Sequence, residues 1–314
     1  MIRVFVIGFL FSFSFLTAQV EVVDVEHISA EIQPDFEKKE ISGRVEFLFK
    51  MLKDADSIFL DAKKMSAEII ENKFDISLNT TADKIWFKAD FKTNKSYKIT
   101  FNYQAQPKQA LYFVGLDDDN RNNDQIFTQG QGKYTSYWLP SIDNMNDKIE
   151  FDLSIIVPKY YGVLANGQLT EQWEENDSLS RWTYDMQKPM SSYLVAFSVG
   201  NYIREIETSS SGVALHQYLL KKDSTYLEPT FRHTKKIFDY LEQKIGVDYP
   251  WQNYKQVPVR DFLYAGMENT SLTIFSDAFV VDSIGYFDRN YVNVNAHELA
   301  HQWFGNLITE TNSK

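Results

Sequence analysis

The stretch Asn295 to Asn306 reads N-A-H-E-L-A-H-Q-W-F-G-N, with two histidines four residues apart and a glutamate directly after the first. If the two imidazoles act together, one backbone serves them: an α-helix, which brings residues i and i+4 to one face about 6 Å apart at Cβ. His297 and His301 then form a two-toothed clamp for zinc. Glu298, one step round the helix, stands where it can hold a water in the metal's open position and take its proton. Phe304 and Leu307 occupy the positions where the longer three-histidine version of this motif needs Gly and His, so a third ligand is expected from a carboxylate on a following helix. The helix should stop near Gly305-Asn306, a usual C-terminal pair. Glu310 falls beyond that stop and reads as a solvated loop carboxylate.

Upstream the texture changes twice. From Val20 to about Arg204, short alternating runs are separated by polar, Gly, Pro or Asn turns, among them Arg44 to Phe49, Lys84 to Phe87, Tyr97 to Phe101 and Glu150 to Ile155. Alternation of that kind predicts antiparallel strands with one wet face. After Thr208-Ser-Ser-Ser-Gly212 comes a strand over Val213 to Leu220, then apolar residues at helical spacing from Thr225 to Ile245, ending at Gly246. Tyr254 to Val259 and Ser271 to Phe275 read as strands that precede the helix bearing the clamp. The expected fold class is α+β. An all-β saddle or sandwich domain (residues 19–205) is followed by the start of a thermolysin-like zinc-metallopeptidase domain (206–314).

A second constellation, Gly266-Met267-Glu268-Asn269, lies about 30 residues before the clamp, at what reads as the edge of the smaller sheet. A glycine there lets another backbone approach, and an open strand edge can hydrogen-bond an extended peptide. Glu268 would stand at the end of that track, ready to bind a free α-amino group and set the first peptide bond over the metal. The partner implied is a peptide with a free N-terminus.

Composition narrows the remaining classes. The formal charge of -11, with no basic cluster longer than a Lys pair, argues against nucleic acid and anionic membrane surfaces. Residues 1–18 carry Arg3, an apolar run from Val4 to Leu16 and a small residue at Ala18. They read as a secretory signal cleaved before Gln19, which implies export to a periplasmic or extracellular space. That run is shorter than the roughly 18 residues of a spanning helix, so membrane association is expected only through an uncleaved signal. There is no cysteine, hence no disulfide framework. His27, His216 and His233 lack partners at ligand spacing and read as structural or exposed.

The paired motifs resemble the M1 family of zinc aminopeptidases. Supporting stretches are Pro189 to Phe197, Leu139-Pro140-Ser141 with Lys148 to Pro158, and Thr128-Gln129-Gly130-Gln131. The resemblance implies zinc on His297 and His301, Glu298 as general base, and Glu268 anchoring the substrate amine. It further implies that the Gly266 and Met267 backbone lines the track beside Asn269, and that Gln129 and Gln131 reach the substrate's amino end. Ala265 stands where the family usually has the first Gly of Gly-x-Met-Glu-Asn, and Gln131 where many aminopeptidases carry an acid. The family's third ligand, a Glu 18 residues beyond the second His, would fall at position 320. The 314-residue chain is therefore expected to be inactive alone. Two other readings stay open: a non-catalytic peptide-binding module with a vestigial clamp, and epoxide hydrolysis in the manner of leukotriene A4 hydrolase, suggested by Gln131.

Overall fold

The structure is a computed structural model and describes residues 19–71, 73–117 and 120–309. The expected signal segment and Glu310 lie outside the described residues. The N-terminal part is built on an eight-stranded sheet in which Val23–Asp35 is central, flanked by Glu40–Met51 and Lys148–Pro158. Along Val23–Asp35 the buried residues are Val23, Val25, Ile28, Ala30, Ile32 and Pro34. The switch from odd to even positions coincides with a register shift between Val25 and His27. An extra residue at a bulge moves every later side chain to the opposite face, so the bulge keeps the apolar set inward.

A three-stranded sheet (Ala55–Asp61, Lys84–Phe91, Ser77–Thr80) covers one side of the large one. Aromatic side chains interlock between them: Phe47 meets Phe87 at 5.8 Å between ring centroids and Phe49 meets Phe91 at 5.7 Å. These rings are fully buried, and each such burial stabilises the sandwich by about 2–3 kcal/mol. A four-stranded sheet (Gly162–Ala165, Phe197–Gly200, Gln125–Thr128, Leu111–Val114) completes this part. The expectation of antiparallel pairing needs one correction, because Val23–Asp35 and Lys148–Pro158 run parallel. Alternation reports which face a residue occupies, not the direction of its neighbour strand.

The remaining sheet has the order Tyr202–Thr208, Ala214–Leu220, Asn253–Val259, Leu272–Ser276, Gly266–Met267. Its first strand straddles residue 205, so the change of sheet comes at Asn201, a few residues before the expected division. The helical pattern over Thr225 to Ile245 is realised as two helices, α1 (Leu227–Phe231) and α2 (Thr234–Ile245). The interruption falls between two packing environments. Leu227 and Phe231 join a small apolar cluster with Leu219, whereas Phe238 enters the main core. Gly246 ends α2 with φ of 71°, the left-handed conformation that glycine adopts without a Cβ penalty.

Helix α3 (Val292–His301) lies beside α2 and the Gly266–Met267 strand. Asn295 Nδ2 donates to Thr234 Oγ1 at 3.1 Å, and Leu299 and Trp303 are buried. The apolar side of α3 is thereby fixed, which turns His297 outward. Among the described residues no helix is long and apolar enough to cross a membrane.

Candidate active site

His297 and His301 project from the outer face of α3 with their Nε2 atoms 3.1 Å apart and their rings at 89°. His301 Nδ1 lies 2.9 Å from the Phe304 carbonyl oxygen. A carbonyl only accepts, so Nδ1 carries the proton and Nε2 is the bare nitrogen, aimed at its partner ring. The chain can turn back that sharply because position 305 is glycine: φ is 143°, and a Cβ there would sit 3.0 Å from His301 Nδ1. Tetrahedral Zn–N bonds of about 2.05 Å would set two ligand nitrogens about 3.3 Å apart, close to the separation found. The donor set therefore suits a borderline divalent ion such as zinc. Among the described residues no third His, Cys, Asp or Glu joins these two in a compact ligand group.

Glu298 is 6% exposed. Burial, and then the neighbouring Glu268 carboxylate, push its carboxyl up to about 8. Its side chain lies against Gly266, where a Cβ would come within 2.6 Å of Oε1. The bare backbone at 266 makes room for the carboxylate. Gly266 and Met267 form the edge strand, pairing antiparallel with Phe275 and Ile274, and Met267 is buried.

Two side chains tie the segment that follows this strand to the end of α3. Gln302 Nε2 donates to the carbonyls of Glu268 and Asn269 at 3.1 and 3.4 Å, while its Oε1 accepts from Ser271 N at 2.9 Å. Asn306 Nδ2 donates to the Glu268 carbonyl at 2.7 Å. Gln302 and Asn306 sit inside the quoted motif, yet sequence reasoning gave Gln302 no role and Asn306 only that of a helix stop. Both are fully buried, and no spacing in the sequence marks them as partners of the segment 268–271.

Asn269 follows the edge strand. Its side chain is fully buried and donates to the Leu194 carbonyl at 3.3 Å, so it joins the two parts of the chain. Asn166 acts with it: its Nδ2 donates to the Leu194 and Thr270 carbonyls at 3.0 and 2.6 Å. Lys148, on a strand of the large sheet, donates to the Asn306 and Leu307 carbonyls at 3.0 and 2.7 Å.

Gln129 is buried, and its Oε1 accepts from Gln131 N at 2.7 Å. Gln131 itself is exposed. Between them Gly130 packs against the Tyr193 carbonyl, 2.5 Å from where a Cβ would be, one residue from the Leu194 carbonyl that Asn269 and Asn166 share. Away from this region, His27 gains partners that linear spacing did not show. Its Nε2 is 3.0 Å from Asp152 Oδ2 and it groups with Glu150 across the parallel strand pair.

Comparison with known proteins follows the same division. A model of the peptidase M1 N-terminal domain matches residues 25–194, and one of the peptidase family M1 domain matches residues 230–312. The chain is 32% identical to glutamyl aminopeptidase of Homo sapiens over 175 residues, covering 54% of this chain and 18% of that protein. It is 27% identical to aminopeptidase 2 of Candida albicans over 303 residues, covering 90% of this chain and 32% of that one. With leucine aminopeptidase 2 of Lodderomyces elongisporus the identity is 28% over 287 residues, 88% of this chain and 42% of the relative. The chain thus spans less than half the length of these curated relatives. With both family models matched in order, and the histidine pair inside the second, the chain belongs to peptidase family M1.

Proposed function

We propose that the protein carrying this chain is a zinc-dependent aminopeptidase that removes single residues from the N-termini of peptides. The observation that carries the reading is the pair of Nε2 atoms at 3.1 Å, with the buried Glu298 side chain on the same helix packed against Gly266. The aminopeptidase names of its relatives support the same chemistry. Zinc, when bound, supplies a Lewis acid and an acidified water. His297 and His301 would hold it, with a third protein ligand from outside the described residues.

Glu298 accepts the water's proton and passes it to the leaving amine, a role its place directly after His297 on α3 gives it. The Glu268 carboxylate binds the substrate's ammonium group, which limits cleavage to the first residue. The exposed edge of Gly266–Met267 aligns the peptide by main-chain hydrogen bonds. Gln129 and Gln131 would assist at the amino end. An N-terminal export signal and a periplasmic or extracellular site of action belong to the same proposal.

The test is Glu298→Gln in the whole protein. Turnover of an aminoacyl-amide should fall about 10²- to 10⁴-fold while zinc content, read by metal analysis, is retained. Turnover within tenfold of the parent would exclude Glu298 as the base. The 314-residue chain alone should show no chelator-sensitive turnover, because two imidazoles fall short of the three protein ligands of a catalytic zinc site.

A further inference from the structure

Between the N-terminal sheets and the second sheet lies a cavity of about 580 Å³ that the peptidase chemistry does not use. Its walls include Trp182 and Tyr184 from the strand Leu179–Asp185, Arg204 from Tyr202–Thr208, His216 and Tyr218 from Ala214–Leu220, and Lys255 from Asn253–Val259. Three of these six are cationic or become so on protonation, and no carboxylate side chain lines the cavity among the described residues. In a chain of net charge -11 such a concentration of positive groups is against the composition.

The groups converge. Lys255 is 3% exposed; its Nζ donates to the Gly167 carbonyl and Asn253 Oδ1, which leaves one of its three protons free. It stands 5.8 Å from the centre of the Tyr184 ring. The His216 ring stacks parallel to Tyr218, 6.2 Å between centroids. Its Nδ1 is buried with no hydrogen-bond partner among the described residues. The Arg204 charge opposes the upward push that burial gives the Tyr218 hydroxyl, and both side chains line the cavity. Burial pushes Lys255 down to about 7, and burial together with Lys255 and Arg204 pushes His216 down to about 4. That is the behaviour of positive groups gathered without a counter-charge.

A buried donor left unsatisfied is costly, and an anion relieves it. The planar fork of Arg204 matches a carboxylate, and Trp182, Tyr184 and Tyr218 supply an aromatic wall for an apolar body. With no acid in the lining, a ligand ammonium finds no partner. We propose that this interdomain cavity is a binding site for a small aryl carboxylate that lacks an amino group, its head between Arg204, His216 and Lys255 and its ring against Trp182 and Tyr184.

Calorimetric titration of the whole protein with 3-phenylpropionate and with phenylalanine, which differs from it by one ammonium group, tests the assignment independently of peptidase activity. Saturable binding of 3-phenylpropionate is expected. Arg204→Gln, at an exposed position, should weaken it about tenfold by removing a charged hydrogen-bond donor, and phenylalanine should bind at least about tenfold more weakly because its ammonium is left unpaired. His216→Gln is the second variant, and near-ultraviolet dichroism of both variants should match the parent. No saturable binding at millimolar concentrations, equal binding of phenylalanine, or folded variants with unchanged affinity would each overturn the proposal.

Discussion

Asp147 is 6% exposed, and its Oδ2 has no hydrogen-bond partner among the described residues. Burial, and then the Asp24 carboxylate, push it up to about 7. The native chain therefore holds a proton that the unfolded chain releases above the ordinary aspartate range. Stability contributed by that proton is complete at low pH and is lost as pH rises towards about 7. The full span is worth about 4 kcal/mol. Asp147→Asn should remove this slope: urea midpoints at about pH 5 and 7 should converge in the variant, and the parent should be less stable at the higher value. An unchanged slope would show that Asp147 is ionised throughout. At this scale the catalytic candidates were legible because the i, i+4 rule places His297 and His301 side by side once the segment is helical. The Phe304 carbonyl that sets the His301 tautomer was not, since any residue type supplies a carbonyl.

Between helix and strand the connection runs through Gln302. It satisfies two carbonyls and one amide of the segment 268–271, of which Asn269 and Ser271 are fully buried. Gln302→Ala should lower stability by on the order of 2–4 kcal/mol, the cost of leaving buried partners unpaired. In the whole protein it should also raise KM for an aminoacyl-amide more than it lowers kcat, because the displaced group is the proposed amine anchor Glu268 and not the proposed metal ligands His297 and His301. Urea unfolding and steady-state kinetics would check both, and a KM within twofold of the parent would refute the coupling. The strands and helices of this half were readable from periodicity. The break between α1 and α2 was not, because one apolar run serves two separate clusters and a linear pattern does not record which core each residue joins.

Across the whole molecule the two matched regions are locked by a few buried polar side chains. Asn166 is 3% exposed. Its side chain donates to the Leu194 and Thr270 carbonyls and accepts from Ala196 N. Asn166→Ala should cost on the order of 2–4 kcal/mol and separate one unfolding transition into two, visible when fluorescence and far-ultraviolet dichroism are followed in the same denaturant series. A single transition at the parent's midpoint would mean that the sheets are joined by apolar contact alone. Legible in the chain itself is what depends on local geometry: the strand alternation, the Gly246 end of α2, the helix that pairs His297 with His301, and Glu298 beside them, whereas the stop expected near Gly305-Asn306 comes earlier, at His301. What only the tertiary structure decided is everything that needs two distant segments to meet. Glu298 is forced out of water against Gly266, Asn269 is joined to Leu194, and Arg204, His216 and Lys255 are gathered around one cavity. Their energies come from burial and from partners far along the chain, and no periodicity carries that information.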